Sequence, residues 1–304
     1  GFLAVSWSDV LQGTLMFFTL VVVAILGVAM AGGVESTFNR LESLDAQLLD
    51  PFIADDGATL GWIGIASLLA WGLGYFGQPH ILARFMAARS AEHITVARRV
   101  AMGWVVTVLV AAVVVGLSAR LVLPIELNGP DTEKAFIVMS TTFLPPIFAG
   151  MCLAGVMAAI MSTASAQLLV ASSALANDLY RSLWRRAASR AELLWIGRLA
   201  VLVIAALAMW LARNPENTVL SLVAWAWAGF GAAFGPVVIL SLYWQSMTRA
   251  GALAGILVGG MTVVLWKQLA PLGGVFELYE LVPGFLLSTA AIMLTSRMTS
   301  KRNS

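Results

Sequence analysis

The sequence predicts an all-α membrane protein with about eight transmembrane helices. Three observations predict it. Of the 304 residues, 60% are hydrophobic and 11% charged, where a soluble domain carries about 25% charged residues. The mean hydropathy is +0.89. Apolar windows of about 20 residues, the length that crosses a hydrocarbon core, recur from end to end.

The windows fall at 10–32, 59–83, 101–124, 144–176, 196–212, 218–245, 251–270 and 282–297. The fourth exceeds a bilayer thickness and is expected to tilt or project. The last is short enough to sit partly at the interface. Between them the charges alternate. Arg84, Arg89, Arg98 and Arg99 follow the second window; Arg181, Arg185, Arg186, Arg190 and Arg198 follow the fourth. Arg249 lies in the turn after the sixth, and Arg297, Lys301 and Arg302 end the chain. The opposite connections are acidic: Glu35, Glu42, Asp45, Asp50, Asp55 and Asp56, then Glu126, Asp131 and Glu133, then Glu216, then Glu277 and Glu280. Basic residues beside span ends mark the cytoplasm. The expected arrangement is therefore a multi-pass protein of the cytoplasmic membrane, its first span running outward and its C-terminus cytoplasmic. The 33–58 and 131–146 connections carry enough apolar residues for short surface helices.

The chain starts GFLAVSWSDV, with no initiator Met, and enters a span almost at once. It reads as a fragment whose N-terminal part is missing. Cys152 is the single cysteine, so no internal disulfide is possible, and it reads as a packing residue. A net charge of +2 carries no signal for nucleic acid, and none is expected as a partner; membrane lipid is. No nucleophile–base pair or metal cluster is visible, so no enzyme is expected.

No Asp, Glu, Lys or Arg is expected in the middle of a span. Arg120 and Lys267 lie near span ends, where long side chains reach water. The interior polarity is neutral oxygen: Ser162, Thr163, Ser165, Gln167, Ser172 and Ser173. In AAIMSTASAQ (158–167), Ala159, Ser162 and Thr163 stand at i, i+3 and i+4 and share a helix face. Two readings are open. The hydroxyls bond the preceding turn and let helices pack, or, with a backbone carbonyl, they ligate a hard cation such as Na⁺.

WGLGYFGQPH (71–80) spoils the second window. Gly72, Gly74 and Gly77 weaken a helix, and Pro79 removes a donor and clashes with the preceding turn. Freed backbone groups in lipid cost several kcal/mol unless something satisfies them. The stretch is therefore either a proline kink or a discontinuous helix lining a cavity. In the second case Trp71 and Tyr75, four apart, present flat faces to a small ring, and the helix start near Pro79 faces an anionic group. His80 reads as a structural histidine and His93 as a solvated one. The glycine- and tryptophan-rich stretch 224–238 is either a bending gate or a close-packing surface.

Three stretches carry a resemblance: GYFGQPHILARFMA, AAIMSTASAQLLVASSALANDLY and AWAGFGAAFGPVV. With GFLAVSWSD, PENTVLSLV and TRAGALAGI, they make the chain similar to the sodium:solute symporter family along essentially its whole length. The resemblance implies Na⁺-coupled uptake of L-proline by alternating access. The fold it implies is the leucine-transporter-like inverted repeat, with residues 1–304 forming one transmembrane domain fragment. Residues 10–32 would be the last helix of the first repeat, 59–245 the second repeat and 251–297 two peripheral helices. It implies a proline site at Trp71, Tyr75, Gln78 and Pro79, and a sodium site at Ser162 and Thr163 with the carbonyl of Ala159. The family's other sodium ligands and an essential intramembrane Asp lie on the first helix of the first repeat, which this chain lacks. Missing N-terminal helices are thus expected to complete both sites. Two alternatives remain on the same scaffold: a symporter for another solute, such as pantothenate or a different amino acid, and the membrane part of a symporter-like sensor kinase.

Overall fold

The computed structural model describes residues 2–54, 57–213 and 218–300; apart from one bridge between Ile53 and Thr59, its regular structure is helical. Asp55, Asp56, Glu216, Lys301 and Arg302 of the charge pattern lie outside the described residues. Two compact units emerge, residues 1–50 with 88–217, and residues 51–87 with 218–304. Among the described residues seven helices are long and apolar enough to cross a membrane, and a shorter apolar helix covers Trp62–Gly77. That shorter one falls in the second expected window, 59–83.

The first unit contains α1 (Phe2–Met30), α2 (Val34–Leu44), α5 (Ala91–Val122), α6 (Ala135–Phe143), α7 (Pro146–Ser173) and α8 (Arg190–Leu211). The second contains α3 (Trp62–Gly74), α4 (Pro79–Met86), α9 (Val219–Tyr243), α10 (Arg249–Leu269) and α11 (Leu281–Ser300). The two short helices expected in the 33–58 and 131–146 connections are α2 and α6.

In the first unit α1 packs against α5 and α7 around Val23, Ala111, Val115, Met139 and the buried Cys152. Gly32 and Gly33, at φ 98° and 95°, turn the chain from α1 into α2 through a region that L side chains avoid. Arg40 then reaches back. Its two Nη atoms donate to the carbonyls of Ala31 (3.2 Å) and Leu121 (3.3 Å), satisfying acceptors that the ends of α1 and α5 leave over. Ser90 caps α5, its hydroxyl accepting from the His93 N–H, and Pro146 occupies the first turn of α7. Beyond Ser173 the winding loosens to a π-helix over Ala174–Trp184.

The first helix starts earlier than the apolar window at 10–32. Phe2–Val5 are apolar enough to extend it, so Asp9 lies inside the helix, near its start and one residue before the charge-free window. The long side chain of Arg120 is paired with Glu126 at 2.7 Å.

The second unit is built on small residues. Gly251, Gly255 and Gly259 repeat every four residues on α10. A Cβ at the first would meet Ser296 Oγ at 2.0 Å, at the second Ile292 Cγ1 at 2.3 Å, and at the third the Ala232 carbonyl at 2.3 Å. Without a hydrophobic drive between helices in lipid, such close approach is what holds them together. Ser288 on α11 adds a 2.9 Å bond to the Gly255 carbonyl. Pro236 is buried within α9 and does not interrupt it. Of the two readings of 224–238, close packing is the one these contacts describe.

Candidate solute and cation sites

The interruption at 71–80 has a defined geometry. The α-helix ends at Gly74, Tyr75–Gly77 form one 3₁₀ turn, and Gln78 is extended at φ −81°, ψ 112°. Pro79 then opens α4 at its first position, where a missing N–H is harmless. The proline starts a second helix rather than kinking the first.

Two of the glycines act through space. A Cβ on Gly74 would lie 2.0 Å from Trp227 Nε1, and one on Gly77 would lie 2.2 Å from the Phe230 carbonyl oxygen. Helix α9 thus packs backbone to backbone against the break. Gly72 meets nothing within 4 Å, so its contribution is conformational only.

Polar groups freed by the break are recaptured from α9 and from Gln78. The Trp227 indole donates to the Trp71 carbonyl at 3.0 Å. Gln78 is buried, and its amide donates to the carbonyls of Gly74 and Trp227, each at 3.3 Å. In the first turn of α4, the Ile81 and Leu82 N–H groups are spent on the Gln78 carbonyl and Pro79 has none. Few backbone donors therefore remain for an anionic group. Replacing Gln78 by Leu removes both of its side-chain hydrogen bonds, worth about 0.5–1.5 kcal/mol each. The expected result is a fall in melting temperature of the detergent-solubilised protein, which thermal unfolding would read.

Aromatic rings gather at the same place. Trp71 stacks on Tyr279, with centroids 5.9 Å apart and planes at 17°. It also lies 6.0 Å from the Trp227 ring. Tyr75 meets Trp227 edge-on at 4.8 Å and remains exposed. Tyr279 is itself fixed twice: its N–H donates to Ser67 Oγ at 2.9 Å and its hydroxyl to the Ala224 carbonyl at 2.6 Å. Burial, reinforced by the neighbouring Glu280 charge, pushes this hydroxyl well above its ordinary pKa, so it stays protonated and donating.

In the first unit, α7 carries Ala159, Ser162 and Thr163. Thr19, Ser118 and Ser140 bond their own preceding turns. Ser162 instead donates across to Asp9 Oδ1 on α1 at 2.8 Å. A hydroxyl has one proton and two lone pairs. Spent on Asp9, the proton leaves the lone pairs for something electropositive. Ser165 Oγ donates to the Ser162 carbonyl at 3.1 Å. Thr163 is exposed and Ala159 half-buried. Gln12, one turn beyond Asp9 on α1, has a buried Oε1 with no hydrogen-bond donor. Sequence reasoning misses both Asp9 and Tyr279: the apolar residues before Asp9, which extend the helix, were the available signal for the first, and Tyr279 offers none, because its partners lie far away in the chain.

A broken apolar helix backed by small-residue packing, and a second helix whose serine faces a carboxylate across a packed pair, are the features of a helical membrane protein with a discontinuous helix. The profile of the sodium:solute symporter family matches residues 1–259, and the chain belongs to that family. The sodium/proline symporter of Salmonella typhimurium (strain LT2) is 44% identical over 97% of this chain and 58% of its own length. The high-affinity proline transporter of Bacillus subtilis (strain 168) is 46% identical over 98% of this chain and 62% of its own. This chain therefore spans about three-fifths of the length of these relatives. Among solved structures, a Na⁺-coupled sialic acid symporter in a substrate-bound outward-open state matches 98% of this chain and 63% of its own, with a TM-score of 0.72 at 19% identity. At that identity the match shows the fold.

Proposed function

We propose that the protein performs Na⁺-coupled uptake of L-proline across the cytoplasmic membrane by alternating access, with its C-terminus cytoplasmic. The similarity at 44% and 46% identity to curated proline carriers, sustained over 97% and 98% of the chain, is the observation that carries this reading. Helices N-terminal to this chain complete both sites; that about two-fifths of the relative's length lies outside the match supports this. Residues 10–32 close the first repeat, 59–245 form the second, and 251–297 are peripheral.

Proline docks at the break, its ring against Trp71 and Tyr75. Pro79 and Gln78 shape the site, Gln78 by holding the carbonyls of Gly74 and Trp227. Na⁺ binds on α7 through the hydroxyls of Ser162 and Thr163 and the carbonyl of Ala159, with Asp9 orienting Ser162. Neutral oxygens with a nearby carboxylate suit a hard monovalent ion. Binding of the two is reciprocal: each raises the affinity for the other.

The test is radiolabelled uptake by the full-length protein in proteoliposomes with an imposed Na⁺ gradient. Proline uptake should collapse without Na⁺, and excess unlabelled proline should compete where pantothenate and other amino acids do not. Trp71→Ala and Tyr75→Ala should raise the KM for proline about tenfold, the loss of one aromatic face, while half-saturation by Na⁺ shifts much less. Wild-type proline KM in both variants would remove the aromatic pocket from the reading.

A further inference from the structure

The ring that fixes Trp71 comes from outside the repeat to which the broken helix belongs. Tyr279 precedes α11, in the segment read as peripheral, yet it lies parallel to the Trp71 indole at 5.9 Å and 17°. Its backbone is tied to α3 through Ser67 and its hydroxyl to α9 through Ala224. Trp227 is a second neighbour: its ring lies 6.0 Å from Trp71 and 4.8 Å from Tyr75, and its Nε1 donates to the Trp71 carbonyl. The two candidate substrate rings are thereby connected through Trp227, and Trp71 is in contact with rings from two further elements.

A tryptophan at the end of a helix has two side-chain torsions to lose. If free to rotate, it fits rings of several sizes and pays ordering entropy at each binding event. Stacked on an immobilised tyrosine, it presents one face in one plane. We infer that Tyr279 is a positioning residue that sets the plane of Trp71 and so restricts the pocket to small, five-membered cyclic amino acids. This rests on Trp71 being a substrate residue, as proposed above. Tyr279 itself touches no substrate; it acts through Trp71.

The variants are Tyr279→Phe, Tyr279→Met and Tyr279→Leu in the full-length protein, with Trp71→Ala in parallel. Each is assayed for uptake of proline and of its six-membered homologue pipecolic acid, with membrane content measured by immunoblot. Phenylalanine keeps the stacked face; methionine and leucine remove it. With Met or Leu, the KM for proline should rise about 3- to 10-fold, the range for losing an aromatic pair. Vmax per protein in the membrane should stay within about twofold, and the proline-over-pipecolate preference should fall. Phe should restore both KM and preference. A general packing defect would lower Vmax or membrane content and leave the preference alone. If Leu does not reach the membrane, Met decides. Unchanged KM and preference in Met or Leu, alongside a raised KM in Trp71→Ala, would overturn the inference and leave the pocket standing. An unchanged KM in Trp71→Ala would remove the pocket, and the inference with it.

Discussion

Gly77→Ala should unfold the second unit more readily than any other single methyl added at the break. Its new carbon would stand 2.2 Å from the Phe230 carbonyl oxygen and 2.7 Å from Gly231 Cα. Both are backbone atoms of α9, so no side chain can rotate away. Relief requires α9 to retreat from the break, and α9 is itself pinned, because a Cβ on Gly231 would meet Gly74 Cα at 2.8 Å. Overpacking a tight site costs about 1–3 kcal/mol and sometimes more; backbone contact on both sides places this one at the upper end. The melting temperature in detergent should drop by about 5 °C or more, and proline uptake should fall with it, since a shifted α9 moves the Trp227 ring away from Trp71 and Tyr75. Gly72→Ala is the matched control. It lies five residues earlier, inside α3, meets nothing within 4 Å, and should be neutral or stabilising by about 0.5–1 kcal/mol. Equal melting temperatures for Gly77→Ala and wild type would show that the close approach is not what holds the two elements together.

The contrast between Gly72 and Gly77 also marks what the sequence could reveal. Helical class and the seven long apolar helices were readable because lipid demands long apolar runs whatever packs on them. The interruption at 71–80 was readable because Gly and Pro act on the local backbone. The sequence could not distinguish a glycine that loosens a helix from one that admits a neighbour, because the neighbour, Phe230, is over 150 positions away. Gln78 shows the same limit. The resemblance implies a substrate contact there; its amide also serves the Gly74 and Trp227 carbonyls, a duty that local spacing does not encode. The hydroxyl face of α7 was visible from the i, i+3, i+4 spacing, but the carboxylate it answers was not. Asp9 fell one residue outside the apolar window, and the fold sets helix limits by packing as well as by hydropathy.

Asp9 and Ser162 carry the largest expected effect on sodium coupling. Their bond joins α1 to α7 at 2.8 Å, with the serine as donor. Two consequences follow if Na⁺ sits against Ser162. The carboxylate fixes the hydroxyl so that its lone pairs face the ion, and its charge lowers the energy of a cation nearby. Asp9→Asn removes the charge and keeps an acceptor for the hydroxyl. Ser162→Ala removes the ligand oxygen and keeps the charge. A hydrogen bond to a charged group is worth about 1.5–3 kcal/mol, so each variant should raise the half-saturating Na⁺ concentration for proline uptake by at least about tenfold. Thr163→Ala, which lacks the link to α1, should raise it less than Ser162→Ala does. The double variant should fall well short of the product of the singles, because contacting residues couple. Uptake measured across a Na⁺ titration at fixed proline reads all four. Wild-type half-saturation in both Asp9→Asn and Ser162→Ala would mean that this bond braces two helices and no more. A steep loss in Asp9→Asn with none in Ser162→Ala would place the ion on the carboxylate and away from α7. Only the combination of two large single effects and a sub-multiplicative double effect places the cation at the bond itself.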